Sequence, residues 1–599
     1  MGNIYTGRIE ALRNELDKND ANWYLCTTSD PHGSEYINAH YKIREYLSGF
    51  TGSNGDLLVG PDGAWLWTDG RYFVQAEKEL EGSGIELMRI GQEGVPELTA
   101  FIKEKVLEGD VLMFNGKLIS AGLGNEIRDI LKEKGAFLLA GADPVDNIWE
   151  DRPEDSSEAI SVLADEISGE VYTDKLSKIR ERMKARGCNK HIISALDDQM
   201  WLFNIRGRDI KYNPVAYAYT LITEDTVRLY VKEKSIGDEL MSYSEKEGIE
   251  LVDYDKFYED TKSVKEGDTV LADANQSSYL LLRLLEKNGA KIVSERDPSA
   301  DLKAVKNEKE IENLKKVYLK DSLILTRFLK YMKEEGVKKN HNEYEAAAML
   351  DKMRLEDEDC YDLSFTTISA AGANAAMMHY DAAETGSAVI NEDEVYLVDS
   401  GGQYMGGTTD VTRTLIPAKA SDELKLHFSK VCAGMLALQN AVFLKGACGR
   451  NLDILAREPL WEMMIDYKCG TGHGIGYMLN VHEGPQNIRP RAIKGVKEAE
   501  MIPGMLVSDE PGVYIEGRYG IRIENILLCV SKGKNTDGEF LAFEPITFVP
   551  IDLNGIDVNA LSEKERKQLN AYHRAVYDSL SPLMNDEEKS WLADATREV

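Results

Sequence analysis

At 599 residues and 67.1 kDa, the chain is long enough for several domains, because single hydrophobic cores stop growing at about 250–300 residues. Its 103 acidic and 71 basic residues give a formal net charge of −32, which argues against binding to nucleic acid or to anionic membranes. The sequence has no apolar run of about 18 residues and no secretory leader, and its seven scattered cysteines form no CxxC pair. These features predict a cytoplasmic protein with reduced thiols.

Two stretches in the first half of the chain repeat one pattern of helix, strand and hairpin. The first runs from the helical RIEALRNELDK through the strand NWYLCTT to LLVG and AWLWT, which the turn PDG separates. The second runs from KLSKIRERMKARG through HIISA to PVAYAYTLIT and VRLYVKE. The same order twice predicts an internal repeat of one α/β unit, joined at the acidic, proline-bearing segment DNIWEDRPEDSSEA.

A long helical stretch, NEKEIENLKKVYLKDSLILTRFLKYMKEEG, follows a second join at ERDPSADLKAVKN. Beyond it, helices alternate with strands that glycines interrupt, and a helical tail begins at SEKERKQLNAYHRAVYDSL. We therefore predict three domains, at residues 1–155, 156–302 and 303–599.

The last domain carries two acidic pairs beside a histidine. Asp399 and Asp410 flank the glycine-rich LVDSGGQYMGGTTDVTRT, and Glu510 and Glu524 flank SDEPGVYIEGRYGIRIEN. If both segments are simple hairpins, each pair faces across two strands, where β-carbons lie about 4.5–5.5 Å apart and like charges destabilise the sheet. Paired divalent metals about 3.5–4 Å apart would remove that repulsion. The alternative is four solvated acids on exposed strands, which does not explain why the pattern recurs beside GTGHGIG, the segment of His473.

Carboxylates combined with one imidazole favour Mn²⁺, Co²⁺ or Zn²⁺ over Ca²⁺. Two such ions lower the pKa of a bridging water to give hydroxide at neutral pH, and they stabilise charge on an attacked carbonyl. No cysteine lies among the motifs, which argues against a structural zinc site. The sequence also lacks HExxH, GxSxG, P-loop and GxGxxG motifs, which disfavours zincins, serine hydrolases and nucleotide-dependent enzymes.

Three further side chains suit such a reaction. His379 in AAMMHYDAA and His482 in LNVHEGPQ can donate a hydrogen bond to an oxyanion or carry protons near pH 7, although a buried structural histidine is the alternative for each. Arg522 lies two residues before Glu524 and therefore on the same strand face, where it can bind the carboxylates. An ordinary surface arginine is the alternative there.

Taken together, DSGGQYMGGTTDVTRT, GTGHGIG, LNVHEGP, EPGVY and GIRIEN resemble the M24 "pita-bread" metallopeptidases, and within them the long, three-domain form of aminopeptidase P. REYLSGFTGSNG and WTDGRYFVQA are similar to that family's N-terminal domain. The resemblance implies an α+β fold with two related α/β N-terminal domains and a C-terminal pita-bread (creatinase/aminopeptidase-like) catalytic domain. It also implies a homodimer, joined through the catalytic domain and the tail, that releases the N-terminal residue from peptides with proline at the second position.

The resemblance also implies how the metal ligands divide their roles. Asp399 would chelate one metal, and Asp410 and Glu524 would bridge both. His473 and Glu510 would complete the other metal, and Glu510 would act as general base toward the bridging water. Mn²⁺ is the favoured ion, with Zn²⁺ and Co²⁺ as alternatives.

Residues outside the ligand set receive roles from the same resemblance. His379 and His482 would stabilise the tetrahedral intermediate and orient the peptide. Tyr514 and Arg522 would support the site, and Arg71 in TDGRYF would reach toward it from the first domain.

Two alternatives remain open at this point. Prolidase shares the fold and the metals but takes only X-Pro dipeptides, and the three-domain length favours aminopeptidase P over it. A non-catalytic pita-bread binding protein is the other alternative, although such proteins have typically lost their ligands and all five are present here.

Overall fold

A computed structural model describes residues 3–492 and 496–599. The chain divides into two units, the first made of Met1–Ala164 and Glu170–Ala300, the second of Asp165–Gly169 and Asp301–Val599. The three-domain boundaries at 155/156 and 302/303 stay predictions. All seven cysteines lie in the described part of the chain and carry free thiols.

The first unit contains two six-stranded sheets with the same strand arrangement. In each, an antiparallel three-stranded meander continues into parallel strands on both sides. The first sheet has the order β4-β3-β2-β1-β5-β6 and the second the order β12-β11-β10-β8-β13-β14, with β7 paired to β9 apart from them. The strands are β1 Trp23–Thr27, β2 Asp56–Val59, β3 Ala64–Thr68, β4 Glu86–Arg89, β5 Val111–Asn115, β6 Phe137–Gly141, β7 Ser161–Val162, β8 Lys190–Ile193, β9 Ile205–Arg206, β10 Ala218–Thr223, β11 Val227–Val231, β12 Glu250–Asp253, β13 Thr269–Leu271 and β14 Lys291–Val293.

This shared strand order confirms the predicted internal repeat. In the first copy, the turn PDG closes the β2–β3 hairpin with Val59 opposite Ala64. In the second, the turn EDT closes the β10–β11 hairpin with Ile222 opposite Val227. These short strands are mostly apolar, and consecutive residues in them are buried on both faces of the sheet, which is why short apolar runs bounded by turn residues located them.

The second unit contains both acidic pairs. Its sheets have the orders β15-β18-β19, β16-β17-β20, β21-β28-β27-β24-β22-β23 and β25-β26. The strands are β15 Cys360–Leu363, β16 Ile368–Ala371, β17 Tyr396–Ser400, β18 Gly402–Tyr404, β19 Gly407–Thr408, β20 Val411–Leu415, β21 Val442–Leu444, β22 Gly472–Gly474, β23 Glu483–Ile488, β24 Leu506–Asp509, β25 Gly512–Ile515, β26 Tyr519–Arg522, β27 Asn525–Asn535 and β28 Gly538–Pro545.

Helices pack against these strands in both units, and α6 belongs to the second unit. In chain order they are α1 Ile4–Lys18, α2 Ile43–Ser48, α3 Phe73–Glu79, α4 Leu98–Lys105, α5 Ala121–Lys134, α6 Asp165–Ser168, α7 Tyr172–Ala185, α8 Leu196–Phe203, α9 Asp238–Glu247, α10 Phe257–Asp260, α11 Tyr279–Lys287, α12 Pro298–Ala304, α13 Glu308–Tyr331, α14 Glu343–Leu355, α15 Asp422–Gln439, α16 Gly449–Trp461, α17 Glu563–Leu580 and α18 Asp586–Ala595. No helix in the described residues is both long and apolar enough to cross a membrane.

The long helix α13 supports the strands of the first acidic pair. It begins at a capping box in which Asn307 and Glu310 satisfy each other's backbone N–H groups. Its buried Leu325 and Phe328 pack in one core cluster with Val398 of β17 and Val411 of β20. Each such side chain contributes about 1.5–3 kcal/mol through burial, so the strand ends that carry Asp399 and Asp410 are rigidly supported.

Candidate metal centre

The first acidic pair does not lie in a simple hairpin. The prediction placed Asp399 roughly opposite Asp410. In the structure, Asp399 on β17 pairs with Thr412 on β20, so Asp410 lies two residues before the position opposite Asp399. The glycine-rich connection between them leaves this sheet to form β18 and β19 instead of making one turn, and β18 pairs with β15 on one side and with β19 on the other. A shift of two residues keeps the same strand face, because side chains alternate with a period of two.

The second acidic pair lies as predicted. Asp509 pairs with Asn525, and Gly512 pairs with Arg522. Both pairings belong to one continuous register, which places Glu510 opposite Glu524. The chain leaves the β24–β27 ladder at this point and continues as the β25–β26 hairpin.

His473 on β22 completes the cluster. Its Nε2 lies 3.5 Å from Asp410 Oδ2 and 3.3 Å from Glu510 Oε1. One donor atom each from Asp410, His473 and Glu524 lie within 4.8 Å of one another. The glycine before the histidine is required, since a β-carbon on Gly472 would come within 1.9 Å of a backbone carbonyl of β24.

The cluster concentrates buried acidic groups, an arrangement that suits the binding of cations. Burial and the neighbouring carboxylates raise the pKa values of Asp410 and Glu524 well above the ordinary range. Asp399 Oδ1 and Glu524 Oε1 are buried and have no hydrogen-bond partner among the described residues. Native structures rarely leave buried carboxylate oxygens unpaired, so the donor set fits divalent metal ions.

Arg522 connects the cluster to its surroundings. Its Nη2 donates to Asp399 Oδ2 at 2.6 Å and its Nη1 donates to the hydroxyl of Tyr514 at 2.7 Å. The same guanidinium donates to Thr412 Oγ1 at 3.1 Å and to the carbonyl of Met378 at 3.3 Å. The predicted contact with the carboxylates is therefore present, and it fixes the orientation of Asp399.

The two histidines proposed for the substrate side are both half-buried. The ring of His482 meets that of His473 edge-on, with centroids 4.3 Å apart. His379 follows Met378, whose carbonyl accepts the hydrogen bond from Arg522. The catalytic roles of His379 and His482 stay predictions.

Sequence reasoning missed two hydroxyl groups that hydrogen-bond to residues predicted as metal ligands. Ser508 accepts from the backbone N–H of His473 at 2.9 Å and donates to Glu510 Oε1 at 3.0 Å. Thr412 donates to Glu524 Oε2 at 2.7 Å. Ser508 lies two residues before Glu510 on the same strand face, so the alternation of strand residues could have identified it.

Arg71 lies in the first unit, where it binds Asp69. Its Nε and Nη2 donate to the two carboxylate oxygens at 2.9 and 2.8 Å. Burial favours the neutral acid, but the two hydrogen bonds from Arg71 lower the pKa of Asp69 to about 2. The predicted role of Arg71 at the metal centre stays a prediction.

Buried carboxylates and an imidazole on neighbouring antiparallel strands define the site of a metal-dependent hydrolase. Comparison with protein families agrees with this class. Residues 8–144 and 151–310 each match the creatinase/prolidase N-terminal domain, residues 312–531 match metallopeptidase family M24, and residues 539–599 match the C-terminal region of M24 peptidases.

Relatives cover the whole chain. The probable Xaa-Pro aminopeptidase P of Aspergillus fumigatus is 36% identical over 99% of this chain and 93% of its own, and that of Pyricularia oryzae is 37% identical over 98% of both. The crystal structure of X-prolyl aminopeptidase from Caenorhabditis elegans, described as a cytosolic enzyme with a di-nuclear active site, is 32% identical and has a TM-score of 0.94 over 99% of this chain and 100% of that one. The Xaa-Pro dipeptidase of Bacillus anthracis, at 23% identity and a TM-score of 0.51 over 64% of this chain and 99% of that one, shares the fold.

The chain belongs to metallopeptidase family M24. It is a peptidase with two creatinase-type N-terminal domains and an M24 catalytic domain, which confirms the predicted fold class.

Proposed function

We propose that the protein is an Xaa-Pro aminopeptidase, which releases the N-terminal residue from peptides with proline at the second position. The observation that carries this proposal is similarity along the entire chain to proteins of that name, with 93–100% of each relative's length covered. Proline lacks the backbone N–H that general aminopeptidases bind, so a dedicated enzyme is needed for such bonds.

Two divalent ions would be held by the five predicted ligands, Asp399, Asp410, His473, Glu510 and Glu524. When bound, such ions polarise the scissile carbonyl and acidify a water molecule. Glu510 takes the proton from the attacking water, while the Ser508 hydroxyl, at 3.0 Å, holds its Oε1. His379 and His482 donate hydrogen bonds to the substrate carbonyl oxygen as negative charge develops on it.

The identity of the metal, the cellular location and the oligomeric state are part of the same proposal. Oxygen ligands with a single imidazole favour Mn²⁺, with Zn²⁺ and Co²⁺ as alternatives. A cytoplasmic location is supported by the free thiols and by the description of the C. elegans relative as cytosolic. We also propose a homodimer, as the sequence resemblance to the long form of aminopeptidase P implies.

The substrate assay that tests this function uses Arg-Pro-Pro, Arg-Ala-Ala and the dipeptide Ala-Pro, incubated with Mn²⁺-reconstituted enzyme and analysed by mass spectrometry. We expect arginine to be released from Arg-Pro-Pro only, and chelation to abolish its release. Cleavage of Ala-Pro alone would instead define a prolidase, and intact peptides in all three samples would favour a binding role.

A His482→Ala variant should lower kcat about 100-fold while the metal content stays unchanged, because one donor to the developing oxyanion is lost. Steady-state kinetics on Arg-Pro-Pro and elemental analysis of the same preparation check both parts. Loss of metal from this variant would instead identify His482 as a ligand.

A further inference from the structure

We propose that Glu343 is the residue that positions His379, and this inference rests on the proposed function of that histidine. Glu343 is the first residue of α14 and its side chain has no exposed surface. His379 lies in a segment with little regular structure of its own. Between the short 3₁₀ helix at Gly372–Ala376 and strand β17, the described backbone forms turns and one isolated bridge, from Asn342 to Val389.

The carboxylate of Glu343 binds this segment on both sides of the histidine. Oε1 accepts the backbone N–H of Ala371 at 2.7 Å and the side-chain amide of Asn374 at 3.0 Å. Oε2 accepts the hydroxyl of Tyr380 at 2.7 Å and the backbone N–H of Ala388 at 2.9 Å. One buried anion therefore ties together groups that are 17 residues apart in the sequence, from Ala371 to Ala388.

The two residues next to His379 are anchored by different partners. Tyr380 is bound to Glu343, and the carbonyl of Met378 is bound to Arg522, whose guanidinium also binds Asp399. The residue before His379 is thus linked through Arg522 to the carboxylate cluster, and the residue after it is linked to Glu343. An error of about 1 Å in the position of a group near the reaction can cost about 100-fold in rate, so this anchoring has catalytic consequences.

Glutamine cannot replace Glu343, even though it has the same shape. Each carboxylate oxygen accepts a backbone N–H, from Ala371 on one side and from Ala388 on the other. A backbone N–H cannot reverse its direction, and in either orientation the amide NH₂ of a glutamine would face one of these donors. Glu343→Gln therefore places two buried donors against each other, which releases one end of the segment.

The matched control is Glu345→Gln on the same helical turn. Glu345 belongs to the capping box of α14, and its half-exposed side chain accepts from the backbone N–H of Asn342 at 3.2 Å. Glutamine at position 345 can still make the capping bond, and each substitution removes one negative charge from the first turn of α14. Any effect that comes from losing this charge at the start of the helix will therefore appear in both variants. An effect that comes from releasing the His379 segment will appear in Glu343→Gln alone.

The experiment compares wild type, Glu343→Gln, Glu345→Gln, His379→Ala and the double variant Glu343→Gln/His379→Ala, all as full-length Mn²⁺-reconstituted protein. We expect Glu343→Gln to lower kcat on Arg-Pro-Pro about 10- to 100-fold with unchanged metal content. In the His379→Ala background, the same substitution should have little further effect. Equal losses in both backgrounds, or normal kcat in a folded Glu343→Gln variant, would overturn the proposal.

Hydrogen exchange measured by mass spectrometry gives a readout that does not depend on activity. Peptides covering residues 372–395 should exchange faster in Glu343→Gln than in wild type or Glu345→Gln. Unchanged exchange there would show that Glu343 does not hold the segment. If the wild type cleaves none of the peptides, the proposed function fails, while the exchange data still decide whether Glu343 anchors His379.

Discussion

An Asp410→Ala variant is expected to lose more than about 99% of its peptidase activity and to bind less metal. Even groups that only orient metal ligands cost about 10- to 100-fold when they are removed, and Asp410 contributes an oxygen to the cluster itself. Its carboxylate lies 3.5 Å from the His473 ring nitrogen and is buried beside Glu524. Kinetics on Arg-Pro-Pro and elemental analysis after reconstitution with Mn²⁺ check the two effects.

The stability of the same variant distinguishes a ligand from a residue needed for folding. Without metal, the ionised carboxyl of Asp410 is unfavourable, because burial and three neighbouring carboxylates raise its pKa. Removing it should therefore leave the Tm of the metal-free protein unchanged or higher. With metal added, the wild type should gain more in Tm than the variant, because its site binds the ions more tightly.

The control for this experiment is Asp393→Ala, which removes an exposed acid from the turn before β17. It should change neither activity nor metal content. Activity above a few per cent in a metal-loaded Asp410→Ala variant would contradict the bridging role of this residue. Asp410→Asn keeps the side-chain shape and replaces the alanine variant in these measurements if that variant does not fold.

The sequence was sufficient for the parts of the site that depend on local pattern. Two strands joined by a single glycine-containing turn determine the register in which Glu510 faces Glu524, and that register was predicted correctly. The other pair was predicted two positions out of register. Its connection contains two short strands, of which β18 pairs with a distant segment, β15, and pairing of this kind depends on tertiary contacts that local residues do not reveal.

Buried charges whose partners are distant in the sequence could not be predicted either. Glu343 looks like one more acid in the helical segment NEYEAAAML, and nothing nearby in the sequence indicates its contacts with Ala371 or Ala388. Arg413 was equally hidden, although it donates at 2.5 Å to the backbone carbonyl of Glu524, a proposed metal ligand. Such groups are recognised only when the fold shows which charged side chains are buried and which groups they bind.

A buried ion triad lies next to His482 in the sequence, and breaking it should have a large effect on the stability of the second unit. Glu483 follows His482 directly and pairs with Gly474, the neighbour of His473. Its carboxylate binds the ammonium groups of Lys303, at 3.1 Å, and Lys306, and the three side chains are 2%, 6% and 0% exposed. The start of β23, beside both histidines, is therefore fixed by charges that are almost completely buried.

Glu483→Gln should destabilise the second unit by about 3–5 kcal/mol, since it leaves two buried cations facing a neutral amide. Hydrogen exchange of peptides covering residues 298–310 and 480–490 measures the local loss of protection. Glu544→Gln is the matched control, because its 2.8 Å ion pair with Lys315 is about half exposed and should contribute little. Adding Lys306→Met to Glu483→Gln returns the triad to its original net charge and should recover part of the protection. If Glu483→Gln exchanges like the wild type, the triad does not support this part of the site.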